Sequence, residues 1–439
     1  MMTQVNLQGF YRLPLEERLA RLNELHYISD AEKDYLKNNQ GLALDLADNM
    51  VENLIGTYSL PLGLAMNFVI NQKDYLVPMA IEEPSVIAAA SYAAKMAKAG
   101  GGFHSEVLDR QMTGQMVFLG LDQASQAEIW TRYIKDHQEE LIQLANQAHP
   151  SLSRRGGGVR QLETAYYPSE SEPFFVVYMT VDTQEAMGAN MMNTMLEALA
   201  SHIEDLSHEV ESLPGLEKLM AILSNLATQC LAKATCQIPI EALAKPGQNP
   251  KEVAKRISQA SQLAQVDPYR ATTHNKGIMN GVDALVIASG NDWRAVEAAC
   301  HAYASQSGQY CGLAKWNYLE DQGLLVGEIT LPLALGSVGG SIKIHPAAKL
   351  VHHLLDHPSA SELMKIVAAL GLAQNLAALR ALVIEGIQVG HMSLQARSLA
   401  IAIGAQGDEV DQVSQALQKA KHMDRQSAKA ILDELRQSL

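Results

Sequence analysis

The pattern of apolar and polar positions predicts mostly helix over the first hundred residues, which are rich in alanine. Glu82-Glu83-Pro84-Ser85 is typical of a helix start with proline in the first turn, and Gly100-Gly101-Gly102 is typical of a helix end. Between them, small residues such as those at 88–90 would let a neighbouring element pack closely. We therefore predict a central, buried helix in this segment.

After these glycines the pattern changes to an alternation of strands and helices. The predicted elements are a strand at Met112–Leu121, a helix at Ala124–Ala148, two strands that end at Asp182, a helix from Gln184 to Leu206, and a strand at Leu219–Leu223. This βαββαβ order is typical of a ferredoxin-like unit. It predicts a small domain that is inserted into a larger one.

The fold class predicted for the whole chain is α+β. A chain of 439 residues is too long for one ordinary core. We predict a large helix-rich domain from residues 1–112 and 219–384, built round a central helix, and an inserted small domain at 113–218. Residues 385–439 are predicted to form a C-terminal helical flap, with three short helices that start at His391 and are interrupted at Gly404–Asp408 and His422–Asp424.

The segment from Thr273 to Ala298 contains a lysine and an aspartate on either side of an apolar run. Residues 274–281 hold two glycines and two asparagines, which predicts an irregular loop, and residues 282–289 fit a short core strand. A helix is then predicted from Trp293, with Asp292 as its N-cap. Lys276 and Asp292 could act together only if tertiary structure brings both to one cleft. The alternative is a solvated lysine and a carboxylate that merely caps a helix.

Composition and charge exclude several classes of function. The formal net charge of -14 argues against a nucleic-acid partner or an anionic membrane surface, although a local basic pocket for a phosphorylated ligand stays open. The four cysteines show no metal-ligand spacing and are expected to be reduced thiols. The start of the chain has no apolar core, and no later run reaches the roughly eighteen uncharged apolar residues that a membrane span needs. A cytoplasmic protein is predicted.

Several familiar chemistries lack their sequence signatures. The chain has neither a GxGxxG after a strand nor a GxxxxGK[ST] nor a GxSxG motif. His353 and His357, and likewise His202 and His208, have no acidic or cysteine partners at zinc-ligand spacing. We therefore predict no metal site and no serine hydrolase chemistry.

Five motifs carry a resemblance that extends over nearly the whole chain. They are EEPSVIAAAS, DTQEAMGANMMNT, DPYRATTHNKGIMNGVDALVIASGNDWRAVEA, GLAQN and GIQVGHMSLQARSLA. In this order they closely resemble the soluble bacterial class II 3-hydroxy-3-methylglutaryl-coenzyme A (HMG-CoA) reductases. The resemblance implies reduction of HMG-CoA to mevalonate and free coenzyme A in the mevalonate pathway of isoprenoid biosynthesis. It also implies two hydrides from a nicotinamide cofactor, with hemithioacetal and aldehyde stages.

The resemblance assigns catalytic roles to four residues. It implies that Lys276 stabilises the negative charge that develops on the thioester oxygen, a role that suits a compact ammonium. Asp292 would hydrogen-bond this lysine, and Glu83 would give or take a proton at the carbonyl oxygen. His391 would protonate the departing coenzyme A thiolate from a movable C-terminal piece.

The same motifs imply binding residues and a dimer. The residues expected at the hydroxymethylglutaryl group are Ser85, Arg270, Asn280 and Asn375, and Arg12 is expected at a coenzyme A phosphate. The residues expected at the nicotinamide cofactor are Glu185, Met187, Gly188, Asn190 and Asn225. Met191, Met192 and Met195 are interpreted as core packing. ENLIG, at Glu52–Gly56, resembles the family's dimer contact, which implies a homodimer with active sites between subunits and an inactive monomer.

Cofactor choice is the point at which the chain departs from degradative relatives that use NAD. Those relatives have an aspartate before the glycine turn, where this chain has His149 followed by Arg154 and Arg155. An acid near the ribose favours NAD, whereas arginine pairs with the 2′-phosphate of NADP. The substitutions predict NADP(H) over NAD(H) and a biosynthetic direction, although Glu185 keeps an acid in the neighbouring motif. The alternatives are a solvated arginine pair and oxidative catabolism with NAD.

Two hypotheses from other classes stay open at this point. A Schiff-base lyase would use Lys276 as its nucleophile and would need a desolvated lysine with a lowered pKa. An inactive acyl-coenzyme A binder would lack one of the four catalytic residues, and this chain retains all four.

Overall fold

The computed structural model describes residue 7, residues 9–384, residue 386, residues 396–420 and residues 422–437. These residues form a mixed α+β structure with one six-stranded and one four-stranded sheet. The ten strands are β1 (Leu62–Ile70), β2 (Lys73–Ala80), β3 (Phe103–Val107), β4 (Met112–Leu119), β5 (Gly158–Tyr167), β6 (Phe174–Asp182), β7 (Glu217–Leu223), β8 (Leu231–Pro239), β9 (Ala314–Leu319) and β10 (Leu324–Pro332).

The six-stranded sheet has the order β2-β1-β3-β8-β10-β9. All its neighbours are antiparallel except β1 and β3, which pair in parallel through Ile70 and Phe103. The hairpin of β1 and β2 shows that the prediction of helix over the first hundred residues was wrong for residues 62–80. Both strands bury apolar side chains against helices, so their polarity pattern differs little from that of a buried helix.

The helices before the C-terminal segment surround this sheet and the smaller one. They are α1 (Leu15–Glu24), α2 (Asp30–Lys37), α3 (Leu44–Asp48), α4 (Val86–Lys98), α5 (Ala124–Asp136), α6 (Gln138–Ala148), α7 (Pro150–Ser153), α8 (Ala189–Glu209), α9 (Pro250–Leu263), α10 (Pro268–Ala288), α11 (Trp293–Ala304), α12 (Pro346–Leu354) and α13 (Ala360–Ile384).

The central helix is α13 and not the predicted α4. It packs against α4, α9 and α10 on one side and against β3, β8 and β10 on the other. Helix α4 buries one face, including Ala90 and Ala94, but leaves Tyr92 exposed. Helix α13 is long enough to cross a membrane and its most apolar window has a mean hydropathy of 1.7, but Lys365 and Arg380 interrupt it, so it contains no uncharged apolar run of about eighteen residues. Its apolar character is explained by the core, because 72% of the most apolar window is buried.

The inserted four-stranded sheet has the order β5-β6-β4-β7 and is antiparallel throughout. If β4 to β7 are numbered 1 to 4, the order read from the β7 edge is 4-1-3-2, which is the predicted ferredoxin-like arrangement. Helix α8 packs against β4 and β7. The helix predicted at 124–148 is divided into α5 and α6 at His137. Helix α8 begins at Ala189 and not at Gln184, because Gly188 caps it in a left-handed conformation.

The described C-terminal residues are helical, as predicted. They form α14 (396–402), α15 (Asp408–Lys419) and α16 (Arg425–Gln437). Buried side chains including Ala396, Val413 and Leu432 form a small core of their own. The prediction that this piece acts as a flap involves residues outside the described ranges.

The segment with the candidate lysine is one continuous helix, so the predicted loop and strand were wrong. Helix α10 begins after Asp267, whose side chain accepts hydrogen bonds from the backbone N–H groups of Tyr269 and Arg270. The two glycines that suggested a loop lie on the face that meets α13. A Cβ on Gly281 would lie 3.0 Å from the Cβ of Gln374, and one on Gly277 would lie 3.8 Å from the Cβ of Ala378. The glycines therefore allow two helices to approach closely.

Candidate active site

Lys276, Glu83 and Asn280 form the polar centre of the candidate site. Lys276 donates a hydrogen bond from Nζ to Glu83 Oε2 over 2.8 Å, and Asn280 Nδ2 donates to the same oxygen over 3.4 Å. Lys276 and Asn280 are one helical turn apart on α10, so they present their side chains on the same face. The lysine side chain is 61% exposed and the glutamate side chain 35% exposed, which leaves both accessible to a ligand.

Ser85 lies next to this cluster in an unusual backbone conformation. It is the N-cap of α4 with φ of 74°, a left-handed value that is uncommon for a residue with a side chain, and its hydroxyl makes no capping hydrogen bond. Pro84 therefore precedes the helix, so the prediction that it lies in the first helical turn was wrong. Backbone strain of this kind is concentrated at functional sites. The hydroxyl of Ser85 is consequently free to face a ligand beside Glu83.

Asp292 is not brought to Lys276 within one chain. Its Oδ1 accepts hydrogen bonds from the backbone N–H groups of Arg294 and Ala295, and the Arg294 guanidinium lies 3.4 Å away. It is thus the N-cap of α11, as predicted. From Lys276 to Ala288 the helix advances roughly 18 Å at about 1.5 Å per residue. The rest of α10 therefore separates the two groups that the family resemblance assigns to one site.

Two further predicted substrate residues lie away from the Lys276 face. Arg270 lies one turn before His274 on α10, and burial lowers the pKa of its guanidinium. Its Nε is buried without a hydrogen-bond partner among the described residues, so it is available to an anionic group. Asn375 on α13 is buried, and its Oδ1 accepts a hydrogen bond from the Trp316 indole over 2.9 Å. In this chain Asn375 therefore supports the core behind the site.

A wide cleft extends from Glu83 and Ser85 along the N-terminal segment. It has a volume of about 2160 Å³ and is lined mainly by apolar side chains, together with Arg18 and Lys95. Arg12 lies beside this cleft with its guanidinium 5.3 Å from the ring centre of Tyr11, which lines it. Arg12 is exposed and makes its side-chain hydrogen bond to the Tyr11 hydroxyl over 2.9 Å.

The predicted cofactor residues cluster around the start of α8. Gly188, with φ of 99°, caps this 21-residue helix, and a Cβ there would lie 2.4 Å from Thr183 Cγ2. Met187 and Asn190 flank it, with Asn190 exposed, and Asn225 lies exposed on the turn after β7. The N-terminus of a long helix attracts phosphate groups, and a position without a Cβ lets one approach closely. These residues fit the pyrophosphate of a dinucleotide.

Arg154 and Arg155 are exposed on the turn between α7 and β5. Neither guanidinium pairs with an acid among the described residues, in contrast to Arg160, which donates to Asp182 over 2.8 Å. Gly157, which follows this pair, packs against the cofactor loop, since a Cβ there would lie 2.8 Å from Gln184 Cγ. His149 caps α7 with its Nδ1 3.3 Å from the hydroxyl of Ser151. The turn therefore presents two unpaired cations close to the Gly188 motif.

Glu185, the acid that argued against NADP(H), is engaged elsewhere. Its Oε2 accepts hydrogen bonds from the Ser337 hydroxyl over 2.5 Å and from the backbone N–H of Ala360 over 2.7 Å. Sequence reasoning missed this contact and also missed Arg110, a half-buried arginine that donates to the backbone carbonyl oxygens of Ala186, in the same loop as Glu185, and of Leu335, in the segment after β10. No sequence signal distinguishes Arg110 from a surface arginine, because its partners are carbonyl groups that are distant along the chain.

A second ionisable cluster joins α10 to α11 behind the site. Burial, together with the adjacent Glu297 carboxyl, raises the pKa of Asp283 to about 8. Glu297 in turn lies 2.6 Å from His301 Nε2, and this contact lowers the pKa of Glu297 and raises that of His301. The other ring nitrogen of His301 lies 2.7 Å from the Tyr310 hydroxyl. Sequence reasoning did not predict this cluster, whose members come together only when the two helices pack.

His391 lies outside the described residues, so its predicted role stays a prediction. Within the described ranges, no three His, Cys, Asp or Glu side chains are grouped so that they could hold a metal ion. Cys230, Cys236 and Cys300 are buried free thiols, and burial raises the pKa of Cys230 to about 11. A thiol with so high a pKa is a poor nucleophile.

Comparison with known proteins establishes the family. A model of hydroxymethylglutaryl-coenzyme A reductase matches residues 14–396. The 3-hydroxy-3-methylglutaryl-coenzyme A reductase of Archaeoglobus fulgidus is 44% identical over 430 residues, which cover 98% of this chain and 94% of that protein. The chain belongs to the HMG-CoA reductase family. A probable HMG-CoA reductase of Borreliella burgdorferi is 36% identical and covers 84% of this chain and 80% of its own length.

Solved structures of HMG-CoA reductases are also similar to this chain. The HMG-CoA reductase of Streptococcus pneumoniae superposes with a TM-score of 0.82 at 45% identity and covers 98% of this chain and 100% of its own. A structure of the class II enzyme from that organism, bound to NADPH in open conformations, has a TM-score of 0.81 at 46% identity and covers 86% of this chain and 100% of its own. The predictions of a class II HMG-CoA reductase fold and an HMG-CoA reductase activity are therefore confirmed. The chain is an oxidoreductase of the mevalonate pathway.

Proposed function

We propose that this chain reduces HMG-CoA to mevalonate and free coenzyme A with NADPH, in the biosynthetic direction. The observation that carries the proposal is the cluster of Lys276, Glu83 and Asn280, a cation and a carboxylate in hydrogen-bond contact at an accessible edge of the apolar cleft. Such a pair can stabilise an oxygen that gains negative charge and can supply it with a proton.

The family resemblance gives the roles of the individual groups, and this geometry supports them. Lys276 donates to the thioester oxygen as negative charge develops on it, since a partly exposed ammonium can reach a bound substrate. Glu83, already hydrogen-bonded to Lys276, gives or takes the proton at that oxygen. Asn280 holds Glu83 in place through its amide. The nicotinamide cofactor supplies the hydride equivalents.

Substrate binding uses groups on both sides of this cluster. Ser85, with its uncapped hydroxyl, and Arg270, with its unpartnered Nε, would bind the hydroxymethylglutaryl group and its carboxylate. Arg12, at the edge of the cleft, would meet a coenzyme A phosphate. Asn375 would act through the packing of Trp316 and α13. His391 is proposed, from the family resemblance, to protonate the departing thiolate.

We infer that the working enzyme is a homodimer in which Asp292 acts on the lysine of the partner subunit. Helix α10 continues from Lys276 to Ala288 and so holds Asp292 away from Lys276 of its own chain. The segment at Glu52–Gly56 that resembles a dimer contact has Ile55 and nearby Tyr58 almost fully exposed, at 104% and 90%. Exposed large apolar side chains of this kind are typical of surfaces that a partner covers. A second copy would therefore complete the site.

The preference for NADPH is supported by the charges near the start of α8. Arg154 and Arg155 are unpaired cations on a turn that packs against the cofactor loop, whereas Arg160 is neutralised by Asp182. Glu185 is already bonded to Ser337 and Ala360. A 2′-phosphate would thus meet two cations and no free acid at this point. The Streptococcus pneumoniae relative was solved with NADPH bound.

The experiment that tests this function measures the loss of nicotinamide absorbance with HMG-CoA and either NADPH or NADH. We expect turnover with HMG-CoA and a higher kcat/KM for NADPH. Absence of turnover with both cofactors would overturn the proposed function. A higher kcat/KM for NADH would overturn only the cofactor choice, and with it the inferred biosynthetic direction.

The shared site is tested by mixing two inactive variants. Lys276→Ala and Asp292→Ala chains are refolded together in equal amounts, so that half of the dimers contain one of each. If Asp292 acts across the interface, each mixed dimer has one intact site and about a quarter of wild-type activity returns. If both residues act within one chain, every site in the mixture has a defect and no activity returns.

A Schiff-base lyase is not favoured by the structure. Its lysine would need an apolar, desolvated setting, whereas Lys276 is 61% exposed and paired with Glu83. A cytoplasmic location is proposed from the likeness to soluble class II enzymes, and the long apolar helix α13 is explained by the protein core.

A further inference from the structure

The loop that carries the cofactor motif, residues 183–188, is held from one side by Arg110. The guanidinium of Arg110 donates to the carbonyl oxygens of Gln184 and, over 3.3 Å, Ala186, which both belong to this loop. It also donates to the carbonyl oxygen of Leu335 over 3.3 Å, in the segment that follows β10. Burial lowers the pKa of the guanidinium but leaves it charged at neutral pH, because the ordinary value is so high. One cation therefore joins the inserted unit to the larger one.

Glu185, which belongs to this loop, makes further contacts with the larger unit. Besides its side-chain bonds to Ser337 and Ala360, its backbone carbonyl accepts a hydrogen bond from the N–H of Ser337 over 2.8 Å. Ala360 is the first residue of the 25-residue central helix α13. The carboxylate thus lies at the N-terminus of a long helix, where unpaired N–H groups and the helix dipole favour negative charge.

The segment Leu335–Val338 connects these contacts to the catalytic aspartate. Asn291, the neighbour of Asp292, donates to the Gly336 carbonyl over 3.1 Å and accepts from the Gly336 N–H over 2.8 Å. A Cβ on Gly336 would lie 2.8 Å from the backbone nitrogen of Met187, so only glycine fits between the two loops. A continuous set of hydrogen bonds therefore runs from the cofactor loop to the residue beside Asp292.

We propose that Arg110 and Glu185 are positioning residues that set the cofactor loop in register with Asp292 through Leu335–Val338, and that Glu185 takes no part in reading the cofactor's ribose. This proposal rests on the proposed function in assigning a nicotinamide cofactor to the loop and a catalytic role to Asp292. Its physical basis is that both side chains are already committed to backbone and helix-terminus partners in two separate parts of the chain. A carboxylate so engaged would have to break two hydrogen bonds to reach a ribose hydroxyl.

Arg110→Met tests the first part, with NADPH affinity measured by the fluorescence of the bound nicotinamide without HMG-CoA. Loss of hydrogen bonds from a charged donor predicts a rise of about tenfold or more in Kd for NADPH, with KM for HMG-CoA changed less than about twofold. Arg110→Lys keeps the charge and some of the donors, so it should restore part of the affinity. Circular dichroism checks that each variant is folded. An unchanged Kd in folded Arg110→Met, or an equal rise in both constants, would overturn the positioning role.

Glu185→Gln and Glu185→Ala test the second part. The amide can still accept one hydrogen bond, so Glu185→Gln should retain most activity, and the ratio of kcat/KM for NADPH to that for NADH should change less than about twofold. Glu185→Ala should weaken both cofactors together by about tenfold. A shift of the ratio toward NADPH by about tenfold or more in either variant would show that Glu185 reads the ribose.

Arg256→Met and Glu252→Gln serve as matched controls, because they alter an exposed arginine and glutamate pair on α9. Neither should change the affinity for a cofactor. Binding of NADPH is measured without turnover, so failure of the positioning proposal is separate from failure of the proposed reaction. A wild-type chain that binds NADPH but does not reduce HMG-CoA would contradict only the reaction.

Discussion

Two basic sites in this molecule are built in opposite ways. Lys276 lies on a long helix packed against the core, and its ammonium is already paired with Glu83 over 2.8 Å. Arg154 and Arg155 lie on an exposed turn, and neither is paired with an acid among the described residues. The first site is rigid and preformed, whereas the second is solvated and unpaired.

The difference reflects the two tasks. Stabilising a charge that develops during reaction requires a donor that is held in place before the reaction begins. Binding a phosphate requires available positive charge, and a flexible arginine can adapt its planar donor group to the ligand. Substitutions at the helical site should therefore change turnover, and substitutions at the turn should change cofactor selection.

Lys276→Ala should reduce kcat by about 100-fold or more, as removal of an oxyanion donor does, while the fold persists. The side chain is 61% exposed, so its loss leaves no cavity. Steady-state kinetics with HMG-CoA and NADPH provide the measurement. Lys255→Ala, on an exposed face of α9, is the control and should have normal turnover. A Lys276→Ala enzyme with near-normal kcat would contradict the assignment of turnover to the helical site and of cofactor selection to the turn.

The double variant Arg154→Ala and Arg155→Ala should lower kcat/KM for NADPH by about tenfold to 100-fold and leave that for NADH nearly unchanged. The 2′-phosphate would lose its cationic partners, and NADH has no such phosphate. His149→Asp should act in the same direction, because it would place an acid beside the ribose. Kinetics with each cofactor in turn give the ratio. Equal losses for NADPH and NADH would mean that the turn does not read the phosphate.

The rigidity of the helical site can be tested at its two glycines. Gly281→Ala places a Cβ 3.0 Å from Gln374 Cβ, and this crowding should outweigh the helix preference of alanine, with a loss of about 1–2 kcal/mol in the free energy of unfolding. Gly277→Ala meets only Ala378 at 3.8 Å and should gain about 0.5–1 kcal/mol. Urea denaturation measures both variants. Equal stabilisation by both would show that α13 does not approach α10 closely at Gly281.

The smallest effect concerns pH and the Asp283 carboxyl. Its pKa in the folded chain is about 8, above the value of roughly 4 in an unfolded chain, so the folded state binds its proton more tightly. This contribution to stability is fully present below about pH 4 and is lost as pH rises to about 8. The raised pKa of His301 acts in the same direction. The lowered pKa of Glu297 acts in the opposite direction and only at acid pH.

We therefore expect the thermal midpoint to fall between about pH 6 and pH 8.5 in the wild type, with a smaller fall in Asp283→Asn. The asparagine amide cannot ionise and can still donate to Glu297. Glu252→Gln, which removes an exposed carboxyl on α9, should show the same fall of the thermal midpoint with pH as the wild type. An identical fall of the thermal midpoint in the wild type and in Asp283→Asn would show that the Asp283 carboxyl does not remain protonated in the fold.

Local sequence patterns were sufficient to identify the family and the topology of the inserted unit. The five ordered motifs were sufficient for HMG-CoA reductase, because each preserves a particular set of side chains at fixed local spacing. The βαββαβ order was visible because β4–β7 and their helices have clear local periodicities, and the N-cap role of Asp292 was visible for the same reason. Such features depend on neighbours that are close along the chain.

The remaining features depend on the packing of elements that are distant along the chain. The glycines of α10 favour a loop by local preference, and they are helical because α13, about a hundred residues further along the chain, packs against them. The pairing of Lys276 with Glu83 and the engagement of Glu185 with α13 likewise join distant segments. Asp292 is held away from Lys276 because the rest of α10 lies between them. Local propensity cannot encode these contacts, because their free energy arises only when separate elements pack together.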